Sequence, residues 1–355
     1  MRIFAWIAGV TVLAGGALFA LSLYLIQVPD IVADDNDLAG SIESWLDERH
    51  SQTPSQFNGA ALVIRDGEVL VRKAWGNDGN GRPLSVDSQF RLASVSKSFT
   101  AAAILKLAQE HTLDLDAPVS DQIDTCPVTA TPAQLLQHRS GVPDNYFQVA
   151  DPETLTTISS VLDLVCSNAA DHAGSPQPFS YNNTAYVFLA GLVEHKSGMS
   201  FEQYLGQEIL APLGLEDTRV WNLVSEDSFE NRATSFGRSG LLEPSNLDGV
   251  AGDGGVFSTL DDLANWAKFW SDDRLLSRDL KDRATGKAAQ DSDGYHFGLI
   301  REGDLVEHSG SWLGARTYLG FRGEGEEQDV VILLENGSSI FIDDLREQIW
   351  TALPD

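Results

Sequence analysis

Positive charge is scarce in this sequence. Its 24 lysines and arginines face 52 aspartates and glutamates, a net charge of −28. A surface of that sign repels phosphate backbones and anionic headgroups, so nucleic acid is not an expected partner. Cysteine is nearly absent, with Cys126 and Cys166 alone. Neither has a second cysteine or a histidine at ligand spacing, and the seven histidines contain no H-x-x-x-H pair, so no metal site is expected. The acidic stretch "DDNDLAGSIE" fails as a calcium loop, because Ala39 stands where a side-chain ligand is required. Repeats and low-complexity tracts are missing too, and no cofactor is expected.

What is present begins with an apolar N-terminus. Arg2 is followed by no further charge until Asp30, and a stretch of roughly 20 apolar residues spans a bilayer as a helix. Residues 1–28 therefore read as an uncleaved transmembrane signal anchor and 29–37 as an acidic linker. Arg2 on one side and Asp30, Asp34, Asp35 and Asp37 on the other place the N-terminus inside and the body, 38–355, outside the cytoplasm. The alternative is a cleaved signal peptide with Ala20-Leu21-Ser22 as its processing site. An extracytoplasmic body permits a disulfide between Cys126 and Cys166 and equally accommodates two buried thiols.

In the body, Leu38–His50 reads as an amphipathic helix, with Ile42, Trp45 and Leu46 on one face. "GAALVIRDGEVLVRKAWG" reads as a hairpin turning at Asp66-Gly67. An alanine-rich helix follows at "SVSKSFTAAAIL". The middle, about 118–290, reads as mostly helical. "NTAYVFLAGLVEHKSG" stops at Gly198, "SFEQYLGQEILAPLG" stops at Pro212 and Gly214, and "STLDDLANWAKFW" carries a core stripe that includes Trp266 and Trp270. Strands return at "YHFGLIREG", "DLVEHSGSW", "ARTYLGFR" and "DVVILLEN", and "FIDDLREQIWTAL" is a closing helix. Strands at both ends predict an α+β fold: one antiparallel sheet built from the N- and C-terminal parts of the body and flanked by helices, with the helical lobe inserted.

Three short stretches carry chemistry. Ser94 and Lys97 form the chain's single Ser-x-x-Lys, and i,i+3 spacing sets both on one helix face. At a helix N-terminus a hydroxyl has free N–H groups beside it, and a neutral lysine one turn on is able to take its proton. Tyr181-Asn182-Asn183 is the single Tyr-x-Asn. It offers a proton-carrying phenol and an amide that can hold a substrate or a lysine. His308-Ser309-Gly310 lies on a predicted strand, where glycine permits close approach and the Ser311 N–H is placed to face an oxyanion. The first two stretches have bland counterparts: a capping serine followed by a surface lysine, and an asparagine-rich helix cap. Two decoys share the third pattern. Lys196-Ser197-Gly198 reads as a helix stop, and His138-Arg139-Ser140-Gly141 as a loop after a helix.

Taken in order, "SVSK", "YNN" and "HSG" resemble the Ser-x-x-Lys, Ser/Tyr-x-Asn and Lys/His-Thr/Ser-Gly elements of the serine β-lactamase and penicillin-binding-protein superfamily. The tyrosine makes the chain similar to the class C β-lactamase, DD-peptidase and serine-esterase branch. "LLQHRSGVPD" and "AGDGGVFSTLDDLANW" resemble supporting segments of that branch, so the resemblance covers roughly residues 40–350. It implies an acyl-enzyme hydrolase for ester or amide carbonyls in small-molecule or peptide substrates. Ser94 is the implied nucleophile, Lys97 and Tyr181 the proton relay, and Asn183 the orienting amide. The Ser94 and Ser311 N–H groups form the implied oxyanion site, lined by His308, Ser309 and Gly310. Histidine at 308, where β-lactamases of this branch carry lysine, points to DD-peptidase- or esterase-like hydrolysis ahead of β-lactamase activity. The competing class is a membrane-anchored, acylatable penicillin-binding or sensing module with little turnover.

Overall fold

Side chains alternate across the strands, and this alternation sorts the molecule into layers. Ala60, Leu62, Leu319, Phe321, Ile332 and Leu334 join one buried cluster, while their neighbours Ala61, Val63, Tyr318, Val331 and Leu333 join another. The computed structural model describes residues 30–353 except 35, 52–56, 169–176, 225–229, 238–239, 290–293 and 338–341. In chain order the strands are β1 (Gly59–Arg65), β2 (Glu68–Trp75), β3 (Phe90–Arg91), β4 (Arg219–Val220), β5 (Phe236–Gly237), β6 (Gly240–Leu241) and β7 (Val256–Ser258). They continue as β8 (Gly294–Tyr295), β9 (Ile300–Glu302), β10 (Leu305–Trp312), β11 (Ala315–Arg322) and β12 (Asp329–Glu335).

Among the described residues the main sheet has seven strands in the order β2-β1-β12-β11-β10-β9-β8, and all its pairings are antiparallel. β1 lies against β12, with Gly59 opposite Glu335, so the two ends of the body share one sheet as expected. The hairpin turns at Asp66-Gly67, both at positive φ. One face is covered by the Leu38–Ser51 helix, through Ile42, Trp45 and Leu46, and by the Ile342–Ala352 helix, through Ile342, Leu345 and Ile349. The larger cluster on the other face includes the Ser96–Gln109, Asn183–Ser197 and Leu260–Phe269 helices. There Trp266 stacks on Phe99 with 3.9 Å between ring centroids, and Trp266 and Trp270 are both buried. Burying a large side chain of this kind contributes about 2–3 kcal/mol.

The middle of the chain departs from the sequence reading in two ways. It carries short strands that no alternation announced: β7 pairs with both β3 and β4, so it ties the segment just before Ser94 to the lobe. Two- and three-residue strands are too short to show a period. A helix at Ile158–Ser167, capped by Thr157, lies within the stretch read as mostly helical. Pro212 does not stop its helix. The run passes through a π-helical stretch, Leu205–Leu210, and ends at Gly214 with φ 71°. Pro212 stands in the first turn after that stretch, where its missing N–H is tolerated.

Cys126 and Cys166 form a disulfide that ties a loop to the Ile158–Ser167 helix. Residues 1–28, read as an anchor, lie outside the described residues. Among those described, no helix is long and apolar enough to cross a membrane.

Candidate active site

The nucleophile candidate sits one step before the long helix rather than in it. Ser94 occupies a 3₁₀ turn, Ala93–Val95, and the α-helix starts at Ser96. Ala93 holds φ at 47°, a left-handed conformation that costs a non-glycine residue on the order of 1–3 kcal/mol. Lys97 still lies one turn beyond Ser94 and is fully buried. Its three donors are all used: Nζ donates to Ser94 Oγ at 3.3 Å, to Asn183 Oδ1 at 2.8 Å and to the Asp253 carbonyl at 2.9 Å. The Tyr181 ring centroid lies 5.0 Å from the same Nζ.

The second element owes its position to a helix start. Asn182 caps the Asn183–Ser197 helix, its Oδ1 accepting from the Ala185 N–H at 2.7 Å. Asp144 adds a second cap, with Oδ1 accepting from the N–H groups of Asn183 and Thr184, each at 2.9 Å. Asp144 Oδ2 faces Asn183 Nδ2 at 3.5 Å, which leaves the Asn183 carbonyl oxygen turned to Lys97. Tyr181 is 38% exposed, and its hydroxyl has no hydrogen-bond partner among the described residues, so it is open to a substrate.

The third element is the end of β10. A Cβ at Gly310 would stand 2.3 Å from the Leu92 carbonyl oxygen and 2.9 Å from the Ser94 nitrogen. Only glycine lets the strand pass this close to the nucleophile turn. Thr317 Oγ1, on the neighbouring strand, donates to the same Leu92 carbonyl at 2.7 Å. Ser94, Tyr181 and Ser311 line two adjoining cavities, of about 460 and 330 Å³, and His308, Ser309 and Gly310 line the smaller. Seven of the eight residues singled out in the sequence thus line these cavities, and the eighth, Lys97, is buried behind them and bonded to Ser94 and Asn183. A larger cavity of about 730 Å³, between Arg65, Trp270, Arg301 and Arg322, contains none of them.

His308 does not supply the conditional positive charge that the sequence allowed. It is buried. Nδ1 lies 2.6 Å from the Ser309 carbonyl oxygen, which only accepts, so Nδ1 carries the hydrogen and Nε2 accepts from the Tyr295 hydroxyl at 3.2 Å. Burial first, and then the Lys97 charge, push the His308 pKa down to about 3.

His138, set aside as a loop residue, lies beneath the site. Its ring is 4.4 Å from both Tyr181 and Tyr295, and its Nδ1 accepts the Asn182 N–H at 3.0 Å. Burial, followed by the charge of Lys97, lowers its pKa to about 2. Both imidazoles are therefore neutral across the working range. An unfolded histidine titrates near 6.5, so below that pH the unfolded chain binds the extra protons. The stabilisation from each neutral ring is complete above pH 6.5 and is lost as pH falls from there toward about 3, at about 1.4 kcal/mol per pH unit. Thermal unfolding from pH 7.5 to 4.5 checks this. His308→Asn keeps an N–H donor without the titration and is expected to flatten the acid-side fall; an unchanged slope would rule the cause out.

Sequence reading also missed Asp144, Tyr146, Asp253 and Tyr295. Asp144 and Asp253 stood inside the stretches "SGVPD" and "AGDGG", where a charge among glycines and apolar residues was the available signal. Tyr146 donates to Asp253 Oδ2 at 2.9 Å. A buried Arg91–Asp248 ion pair, joined by Trp312 Nε1 at 3.0 Å, walls the cavity of about 460 Å³. No metal-binding cluster occurs among the described residues.

The model of the family described as Beta-lactamase matches residues 48–340. Penicillin-binding protein 4* of Bacillus subtilis (strain 168) is 30% identical over 303 residues, covering 77% of this chain and 66% of its own length. A D-aminopeptidase of Gluconobacter oxydans (strain 621H) is 27% identical over 307 residues, covering 79% of this chain and 57% of its own. The chain thus spans less than two thirds of the curated relatives it matches. The structure of an octameric penicillin-binding protein homologue from Pyrococcus abyssi superposes with a TM-score of 0.71 at 27% identity, covering 88% of this chain and 76% of that one. The chain belongs to the beta-lactamase family, within the serine β-lactamase and penicillin-binding-protein superfamily, and has that fold.

Proposed function

We propose that the chain cleaves ester or amide bonds, in the manner of a DD-peptidase or esterase, through an acyl-enzyme on Ser94. The observation that carries this reading is the Lys97 amine held between Ser94 Oγ, the Asn183 amide and the Asp253 carbonyl at the meeting of two cavities. Ser94 Oγ bonds to the substrate carbonyl carbon while its proton passes to Lys97, which acts in this step as the neutral amine, and on through the Tyr181 hydroxyl. The Ser94 and Ser311 N–H groups receive the oxyanion, and the relayed proton leaves on the departing amine or alcohol. Water then attacks the acyl carbon and frees Ser94. Relatives named D-aminopeptidase and penicillin-binding protein support peptide-like amides as substrates. Neutral His308 offers no fixed cation for a β-lactam carboxylate, which weighs against antibiotic hydrolysis as the main activity. The body is proposed to work outside the cytoplasm, tethered by residues 1–28. The Cys126–Cys166 disulfide supports an oxidising compartment.

The test is labelling by a fluorophosphonate and a fluorescent penicillin, followed by a panel of p-nitrophenyl esters, a D-Ala-D-Ala peptide and a chromogenic cephalosporin. Ester or peptide turnover with weak cephalosporin turnover is expected. Rapid cephalosporin hydrolysis would reverse the ranking, and acylation without release would favour a penicillin-binding sensor.

A further inference from the structure

Charge in the cavity of about 460 Å³ beside Ser94 is unevenly satisfied. Three ionisable side chains that carry formal charge line it: Arg91, Asp248 and Asp253. Arg91 and Asp248 neutralise each other, and Asp248 is saturated: Oδ1 accepts from Arg91 and Trp312, and Oδ2 accepts from Ser245 N–H at 2.7 Å and Ser245 Oγ at 3.2 Å. Asp253 differs. Its Oδ2 accepts from the Tyr146 hydroxyl and its own main-chain N–H donates to the carboxylate, but among the described residues no cation forms a side-chain ion pair with it, and the Lys97 charge acts on it without a direct contact to its carboxylate oxygens. Lys97 is close, but its donors are already spent on Ser94 Oγ, Asn183 Oδ1 and the Asp253 main-chain oxygen.

We propose that the Asp253 carboxylate receives the free α-ammonium of the substrate, so that the favoured substrates are amino-acid amides, esters or short peptides with an unblocked N-terminus. This rests on the hydrolase reading above and narrows it. The α-nitrogen of an aminoacyl substrate is two bonds from the carbonyl that Ser94 attacks, and the main chain of Asp253 already touches the amine next to Ser94. On this proposal the carboxylate takes the acyl side of the reacting bond. Tyr146 fixes its orientation, and the apolar remainder of the cavity, Phe147, Leu247, Val250 and Trp312, suits the substrate side chain. Burial raises the Asp253 pKa against the pull of Lys97, and an incoming ammonium supplies the charge that offsets this burial. A carboxylate-bearing acyl group would meet repulsion in the same place.

The test uses the full chain with D- and L-alanine p-nitroanilides, each with a free and an acetylated amine. Wild type is expected to favour the free amine by about tenfold or more in kcat/KM, and Asp253→Asn to lower that ratio by about tenfold through KM. Tyr146→Phe, which keeps the carboxylate but loosens it, is expected to fall between the two. Unfolding temperatures and fluorophosphonate labelling confirm that each variant is folded. Equal losses on free and acetylated substrates in Asp253→Asn would mean that the residue serves Lys97 alone and would overturn the proposal, as would a wild-type preference for acetylated amines. If Ser94 is labelled but no anilide is cut, the amine preference fails while the hydrolase reading stands. If Ser94 is not labelled, both fail.

Discussion

Ser94→Ala is expected to lower kcat/KM by on the order of 10³-fold or more and to leave the unfolding temperature nearly unchanged. Among the described residues the hydroxyl has one side-chain partner, Lys97 Nζ at 3.3 Å, so its loss disturbs chemistry and not packing. Lys97→Met is expected to cost about 10²–10⁴-fold through loss of the proton acceptor. It also leaves the Asn183 oxygen and the Asp253 carbonyl without their donor, at about 1–3 kcal/mol for each buried acceptor. The two substitutions act on one proton transfer, so the double variant should be scarcely worse than Ser94→Ala. Steady-state kinetics, fluorophosphonate labelling and thermal unfolding on all three variants separate these effects. Retention of ester hydrolysis within about threefold in Lys97→Met would remove the relay from the mechanism.

The second large effect belongs to Gly310→Ala. The added methyl would sit within 2.3 Å of the Leu92 carbonyl oxygen, 2.5 Å of Thr317 Oγ1 and 2.9 Å of the Ser94 nitrogen. Two of these atoms are main chain, so relief comes from moving β10 away from the nucleophile turn. Overpacking of this kind costs about 1–3 kcal/mol. A displacement of about 1 Å between Ser94 and Ser311 is enough to cost about 10²-fold in rate. The expected outcome is a folded protein with a lower melting temperature, slow labelling of Ser94 and a kcat loss larger than the KM change. A variant that labels Ser94 at the wild-type rate would show that the two segments do not form the oxyanion site.

Local pattern made much of this legible. The i,i+3 spacing of Ser94 and Lys97, the Asp66-Gly67 hairpin, the capped helix at Leu260–Phe269 and the strands at either end of the body all follow from periodicity and turn chemistry within short windows. The order of the three short motifs, with the resemblance it carries, was sufficient to name the residues around Ser94. No window of sequence could show what holds Lys97. Its partners are 86 and 156 residues away, one an amide oriented by Asp144 and the other a main-chain oxygen. The same holds for His138, 44 residues from the Asn182 N–H it accepts, and for His308, whose charge state depends on burial. Cys126 and Cys166 were open to pairing or not until the Ile158–Ser167 helix packed beside its loop. Sequence alone determined which chemical groups are available and which local elements carry them. Tertiary structure decided which groups meet, which donors are already used and which imidazoles remain neutral, because contact across a sheet and desolvation arise only when distant segments pack.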